Sequence, residues 1–560
     1  MSTTRFDTCP RVKKYTDNGG ELHVKDISLC VIGQGDLFAR TLKILLPDIT
    51  SQESTRNEAN TVLSVSYVYS SQNEYCYLRI MPTGIEIHCR DNAGARNAAA
   101  ILAQLARPHP NGGYTLPCGV VEDWPDAQYR AMMLESSGRG WLSMTELRTY
   151  IRQMALCRMN VMQFHFMENC GCNIQLECLP DLPGFGKENR KHTKDEVRDM
   201  ISYAAELGIA ITPFVEVLSH ATDFATYAGI ACPGDKKPNM FTVCLGQEKT
   251  FQIIEMLLTE IAELFPDDVL HVGADEYDLS PVSPLAPYWD KCPHCQKLAA
   301  EKGFTTLREM FMYGIGRLNR IVNGLGKVMM LWNADLRPGY LPNDMDRNMV
   351  IHFYRDNNCL CREKIYNLTV DGYVEDGFSV INSYFPQTYL DLEDYVSSDK
   401  LRGWSYVNDP LVRQKNRAKV PGGCCCVWDH HDHYVRTVPA GILLYADRFW
   451  NAFGDPADYD DAYGCTMTRL LFDNRLPEGT NVFACIGDVL PPLNDTQLVH
   501  GPKITADINT IVKTREALLA LANSGDELAG YYAEALAMAI EEKNKIPSNT
   551  PLTEWIAFKG

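Results

Sequence analysis

The polar and apolar positions of the chain change rhythm near residue 129. Before that point, short β-type runs alternate with turns. VLSVSYVYS, EYCYLRIMP (74–82) and GIEIHCRD (84–91) read as strands of an open sheet, because β-branched and aromatic residues recur at a spacing of two. An Ala-rich helix, AGARNAAAILAQLA (93–106), follows, and Pro and Gly at 108–117 punctuate the chain. Strands covered by a helix predict a small α+β domain over 1–122.

From Tyr129 onward, apolar strands alternate with helices. The strands are YRAMMLE (129–135), NVMQFHF (160–166), IAITPFVEV (209–217), VLHVGADE (269–276), KVMMLWN (327–333), MVIHFYR (349–355), FSVINSY (378–384) and CCCVWD (424–429). Helices are expected at 144–158, 194–207, 249–264, 305–323 and 439–452. Ser143 with Glu146, and Thr193 with Glu196, form capping boxes at the first two, and Gly208 ends the second. Eight strands that are apolar throughout are buried on both faces. Repeated βα units of this extent predict a TIM (β/α)8 barrel over 123–455, although periodicity alone also fits a doubly wound sheet. Stretches such as REALLALANS and LAGYYAEALAMAIEEKNK predict a helical C-terminal region over 456–560.

Composition narrows the function. The 560 residues carry 53 Lys plus Arg against 71 Asp plus Glu, a net charge of -18. That balance disfavours nucleic acid and anionic membranes as partners. No apolar run approaches the length of a membrane span, and the N-terminus shows no signal-peptide core, so a cytoplasmic location is expected. The 20 cysteines agree with a reducing compartment, and the consecutive Cys424, Cys425 and Cys426 read as reduced, buried thiols on one strand. Cys292-Pro-His-Cys295 is half of a four-ligand zinc site. No second C-x-x-C accompanies it, and Cys170, Cys172 or the 424–426 run would complete it only by coincidence of folding, so no metal is assigned. The histidines at 430–433 are too closely spaced to face one ion together and read as a polar rim.

A TIM barrel places its active site at the C-terminal ends of the strands. By that rule the chemistry belongs among Arg130 and Glu135, His165 and Glu168, Glu216 and His220, Asp275 and Glu276, Trp332 and Asp335, Tyr389 and Asp391, and Trp428, Asp429 and His430. Carboxylates and aromatics with few lysines suit a sugar. Aromatic faces stack on a pyranose, and carboxylates hold hydroxyls and move protons. There is no phosphate-cradling P-loop and no nucleophile elbow.

LHVGADEY resembles the H-x-G-G-D-E signature of family 20 glycoside hydrolases, the β-N-acetylhexosaminidases, with Ala274 in place of the second glycine. DWPDAQYRAMMLESSGRGWLS, MALCRMNVMQFHFMEN, VEVLSHATDF, LWNAD, TYLD and GGCCCVWDH resemble further family segments in the same order. DNAGARNAAAILAQL resembles the end of the preceding α+β domain. The last hundred residues show no counterpart in sequence.

The resemblance implies a retaining exo-β-N-acetylhexosaminidase without metal or organic cofactor. Its substrate is an oligosaccharide or glycoconjugate ending in a β-linked 2-acetamido sugar, whose acetamide oxygen acts as nucleophile and gives an oxazolinium intermediate. It implies that Glu276 is the acid/base, with its pKa raised by burial and a close carboxylate, and that Asp275 orients the acetamide. It places Arg130 on sugar O3 and O4, His220 on the family's histidine, Tyr389 on the acetamide oxygen with Asp391 in support, and Trp332 and Trp428 around the ring and acetyl methyl. His165 belongs to the strand-two segment that lines the site.

Two positions depart from the family. Its paired aspartates fall at Glu168 and Asn169, and its O4/O6-binding glutamate falls at His430. Gluco, galacto and 6-sulfated sugars therefore all stay open, as do a lacto-N-biosidase, a non-catalytic sugar-binding barrel and a homodimer.

Overall fold

The computed structural model describes residues 7–24, 28–47, 50–52, 61–137, 140–235, 243–277, 279, 286–333, 336–356, 368–390, 404–407, 412–428, 431–454, 461–486 and 506–545. Two sheets organise them. The first is mixed, in the order Lys14–Val24, Tyr114–Asp123, Cys76–Met81, Gly84–Cys89, Thr61–Tyr67, Ser28–Gly33, Thr50–Gln52, with Arg107–Pro108 paired to Tyr114–Asp123. Alternation drives its folding: Cys76, Leu78 and Ile80 of one strand point inward, where they join Ile85 and Ile87 of the next. The helix Asn92–Leu105, capped by the Asp91 carboxylate on the Gly94 N–H, covers this sheet. It is buried nearly all round through Ala95, Ala98, Ala99, Ala100 and Ala103, because it also packs against the second body of the fold. Gln104 Nε2 donates to the carbonyl oxygens of Cys9 and Leu156 across that junction.

The second sheet closes on itself. Its strands are β1 (Tyr129–Glu135), β2 (Val161–Glu168), β3 (Ala210–Val215), β4 (Val269–His271), β5 (Val328–Trp332), β6 (Met349–Phe353), β7 (Ser379–Asn382) and β8 (Gly422–Val427). Each pairs in parallel with the next, and β8 pairs with β1 from Gly422↔Tyr129 to Val427↔Leu134. This is the expected (β/α)8 barrel. Both expected capping boxes are present, on helices Met144–Leu156 and Lys194–Glu206.

Strand parity sorts the side chains. Ala131 and Met133 of β1 fill the barrel interior with Phe214, Met330, Trp332, Cys424 and Cys426, whereas Met132, Leu134 and Cys425 face the helices. The three consecutive cysteines are therefore buried thiols on alternating faces, all of them free. At the bottom of the barrel, fully buried Asp123 pairs with Arg158 and accepts from Trp450 Nε1 (2.9 Å) and Lys13 N (2.9 Å). That knot ties the last strand of the first sheet to the barrel.

The helices Asp461–Leu471, Val482–Ile486, Ile508–Asn523 and Glu527–Lys545 enclose a small core of their own that includes Phe472, Val482, Leu518, Tyr532 and Leu536. They dock on the barrel through Arg152–Asp473 (2.6 Å) and Thr145–Glu527 (2.6 Å). Among the described residues, no helix is long and apolar enough to cross a membrane.

Candidate active site

The site is built where the chain leaves β3 and β4. After His271 the chain continues without helix through Tyr277, held over β5 by Val272 N to Met330 O (2.9 Å) and Trp332 N to Gly273 O (3.0 Å). Gly273, Ala274 and Glu276 all take positive φ, at 69°, 69° and 54°. This left-handed backbone on both sides of Asp275 sends adjacent carboxylates in different directions. Asp275 is buried, whereas the Glu276 side chain keeps 42% of its surface exposed. Gly273 is required by space as well as by φ, since a Cβ there would lie 1.8 Å from Glu216 Oε2. Ala274 is not a neutral exchange for the motif's second glycine. It occupies a conformation that costs an L-residue about 1–2 kcal/mol.

Glu216, Ser219 and His220 reach this turn from the end of β3. Ser219 Oγ lies 3.0 Å from Glu216 Oε2 and 3.2 Å from Asp275 Oδ1, and Glu216 Oε2 also accepts from Ala274 N (3.3 Å). His220, itself at φ 43°, stands at the centre. Its Nδ1 is 3.1 Å from Glu168 Oε1, and its Nε2 is 3.4 Å from Glu276 Oε2 and 3.6 Å from Asp275 Oδ2. Asn169 accepts from Thr222 N and Oγ1, which fixes its amide beside the imidazole.

These contacts set the protonation states. Burial opposes a charge on His220, but Asp275 first, then Glu168 and Glu276, outweigh it and hold the imidazole well above its ordinary pKa, as a cation at neutral pH. Burial, then the Asp275 charge, pushes Glu216 well above the usual carboxylate range. Burial also raises Asp275, although His220 opposes the rise. With a proton on Glu216, its carboxyl O–H donates a hydrogen bond to Ser219 Oγ, and the Ser219 hydroxyl donates its own hydrogen bond to Asp275. The negative charge then rests on Asp275.

An aromatic wall faces the acids. Trp332 ends β5, Trp428 follows β8, and Tyr389 bridges to Cys426 beyond β7. Their rings lie 5.8–6.4 Å apart, Tyr354 stands 5.3 Å from Trp332, and His165 packs edge-on to Trp428 at 5.4 Å. Burial raises the Tyr389 phenol well above its ordinary value, and Cys426, Tyr354, Asp275 and Glu276 add to the rise. The hydroxyl therefore stays a donor. Beneath the wall, Gly273 N donates to His271 Nδ1 (3.1 Å), so the His271 proton sits on Nε2 and points to His352 Nδ1 (3.1 Å). Burial keeps both rings neutral, and His352 stacks on Trp332 at 3.9 Å.

The structure thus brings together Asp275, Glu276, His220 and Glu168, and sets Trp332, Tyr389, Trp428 and His165 around the barrel mouth. Arg130 is a correction. It is the second residue of β1, at the opposite end of the barrel, and its even position turns it away from the interior. Its guanidinium grips Glu74 of the first sheet's body with two bonds (3.0 and 2.7 Å) and donates to the carbonyls of Ala127 and Arg158. It is a structural clasp rather than a sugar ligand. Glu135 does end β1 as expected, and there it accepts from Ser137 N (2.7 Å). Asp335, Asp391, Asp429 and His430 lie outside the described residues. Sequence reasoning missed Ser219, His271 and His352. His271 is the first letter of the LHVGADEY motif, and His352 holds the equivalent inward position on β6.

The catalytic-domain profile described as "Glycosyl hydrolase family 20" matches residues 128–430, more than half of the chain. The chain belongs to glycosyl hydrolase family 20. Relatives of this family 20 chain include the β-hexosaminidase of Vibrio furnissii, 26% identical over 61% of this chain and 59% of that protein. The β-hexosaminidase subunit beta of Homo sapiens is 23% identical over 66% of this chain and 65% of that one. The alignments therefore span less than two thirds of these relatives' own length. Among solved structures, the Vibrio harveyi exo β-N-acetylglucosaminidase in complex with N-acetylglucosamine superposes with a TM-score of 0.70, at 18% identity over 84% of this chain and 78% of that one. The Flavobacterium johnsoniae chitobiase matches with a TM-score of 0.68, at 18% identity over 98% of this chain and 90% of its own. That match takes in the C-terminal helices, so a region without a counterpart in sequence has one in fold.

Proposed function

We propose that this chain is a retaining exo-β-N-acetylhexosaminidase that removes terminal β-linked 2-acetamido sugars from oligosaccharides or glycoconjugates by substrate-assisted catalysis. The observation that carries the reading is the division of labour between two consecutive carboxylates. Glu276 stands partly exposed at the barrel mouth, and Asp275 is buried against Ser219 and His220.

In this reading Glu276 protonates the departing glycosidic oxygen and later takes a proton from water. Asp275, left charged by the proton held on Glu216, accepts the acetamide N–H and turns the acetamide oxygen towards the anomeric carbon. Tyr389 donates its hydroxyl to that oxygen, and Trp332 and Trp428 enclose the acetyl methyl and the sugar face. His220, held through Nδ1 by Glu168, has its Nε2 3.4 Å from Glu276 Oε2, close enough for the imidazolium to supply the proton that Glu276 delivers. Family membership and the names of the relatives support hexosaminidase activity.

Glu276→Gln is expected to lower hydrolysis of an aryl N-acetylglucosaminide by about 10^2–10^4-fold, the range for losing a general acid. Retention of most activity contradicts the assignment. Asp275→Asn is expected to weaken binding of a thiazoline that mimics the oxazoline, and unchanged affinity contradicts its role.

A further inference from the structure

Four cysteines outside the acid cluster converge on one point. Cys232, Cys244, Cys292 and Cys295 are all buried, and their sulfurs all lie within 4.8 Å of one another. Cys244 Sγ is 3.6 Å from Cys292 Sγ and 3.7 Å from Cys295 Sγ. These separations are far longer than the roughly 2.05 Å of a disulfide. They match the edge of a tetrahedron of sulfurs about 2.3 Å from a central ion, which is about 3.8 Å.

From this geometry we infer that the four thiolates hold a structural zinc ion. The second pair of ligands escaped the sequence because it is not a C-x-x-C: eleven residues separate Cys232 from Cys244. Neither Cys170 and Cys172 nor the 424–426 run takes part.

The surroundings are built for such a centre. Cys292 is the N-cap residue of helix Pro293–Lys302 and Cys295 lies in its first turn, so both stand at the positive end of the helix dipole, which offsets part of the net negative charge of four sulfurs on one divalent ion. Gly246 lets the two ligand loops meet, since a Cβ there would lie 2.2 Å from the His294 carbonyl carbon. Ala231 and Val243 pair beside the sulfurs, and Thr250 Oγ1 donates to Cys244 O (2.6 Å). Four cysteine ligands close the coordination sphere, which is the arrangement of a structural rather than a catalytic zinc.

The centre ties together the segments that follow β3 and β4. Trp289 Nε1 donates to Val243 O (2.8 Å), and Tyr277, next to Glu276, packs on Trp289 with ring centroids 5.5 Å apart. The ion would thus brace both segments from which Glu216–His220 and Asp275–Glu276 are presented. The inference is independent of the proposed substrate.

The test is elemental analysis of the full-length protein, expressed with zinc available and dialysed into metal-free buffer. About one zinc per chain is expected, with X-ray absorption showing four sulfurs at about 2.3 Å. Titration of the wild-type protein with an organomercurial should release that zinc to a chromogenic indicator, which keeps the test valid if variants fail to fold. Cys292→Ser with Cys295→Ser should abolish the metal, whereas Glu276→Gln should keep all of it. A metal-free chain, iron in place of zinc, nitrogen or oxygen ligands in the absorption spectrum, or zinc lost with Glu276→Gln would each overturn the inference.

Discussion

Glu216 is joined to Asp275 through a single hydroxyl, Ser219 Oγ, 3.0 Å from one carboxyl group and 3.2 Å from the other. Two buried acids sharing one hydroxyl cannot both ionise cheaply. Burial raises Glu216 well above the usual carboxylate range, and a proton kept there would leave Asp275 free to act as an acceptor.

This arrangement predicts a pH-dependent stability. The folded pKa of Glu216 lies above its unfolded value, so its contribution is complete below the ordinary glutamate range and is lost as pH rises through the folded value. Glu216→Gln removes that loss and keeps a neutral group of the same shape. The Tm of the variant should match the wild type near pH 5 and exceed it by a growing margin towards pH 9. A gap that stays constant with pH contradicts the protonated state.

Arg130 and Glu74 give a prediction that separates structure from catalysis. Breaking a buried ion pair from one side costs about 3–5 kcal/mol. Arg130→Met should therefore lower denaturation free energy by roughly that amount, while KM of the folded fraction stays unchanged. A large rise in KM with little loss of stability would restore Arg130 to the sugar site.

Ala274 sits at φ 69° beside Asp275. Ala274→Gly relieves the left-handed strain but adds unfolded-state entropy. A net gain of about 0.5–1 kcal/mol is expected, read by urea unfolding. Destabilisation would mean that the alanine methyl packs better than its φ suggests.

Tyr389→Phe removes one donor to the acetamide oxygen and leaves the ring wall intact. By comparison with loss of a single oxyanion donor, kcat should fall about 10^2–10^3-fold. Activity within twofold of wild type would remove the hydroxyl from the mechanism.

Much of this was legible in the sequence. The eight apolar strands announced the barrel because both faces of a parallel strand are buried. Ser143, Glu146, Thr193 and Glu196 announced their helix starts because capping boxes are local. The strand Lys14–Val24 was not legible. Most of it is exposed, so it carries little apolar alternation, and its pairing slips between Asp17 and Glu21. Arg130 was misplaced because motif order was followed without strand parity, which puts Ala131 and Met133, not Arg130, inside. Burial of Asp275 against the exposure of Glu276 depends on left-handed backbone at Ala274 and Glu276, which the run GADE does not reveal. Cys232 and Cys244 meet Cys292 and Cys295 only because the fold brings two segments distant in sequence together.

Acetamide-assisted hydrolysis by Asp275 and Glu276 carries a stereochemical signature, retention at the anomeric carbon. Proton NMR of the first-formed sugar, released from an aryl 2-acetamido-2-deoxy-β-glycoside in gluco and galacto forms, tests it most directly. The β-anomer should appear first, with the α-anomer growing in only by mutarotation. The α-anomer appearing first, or no release from either glycoside, would contradict it.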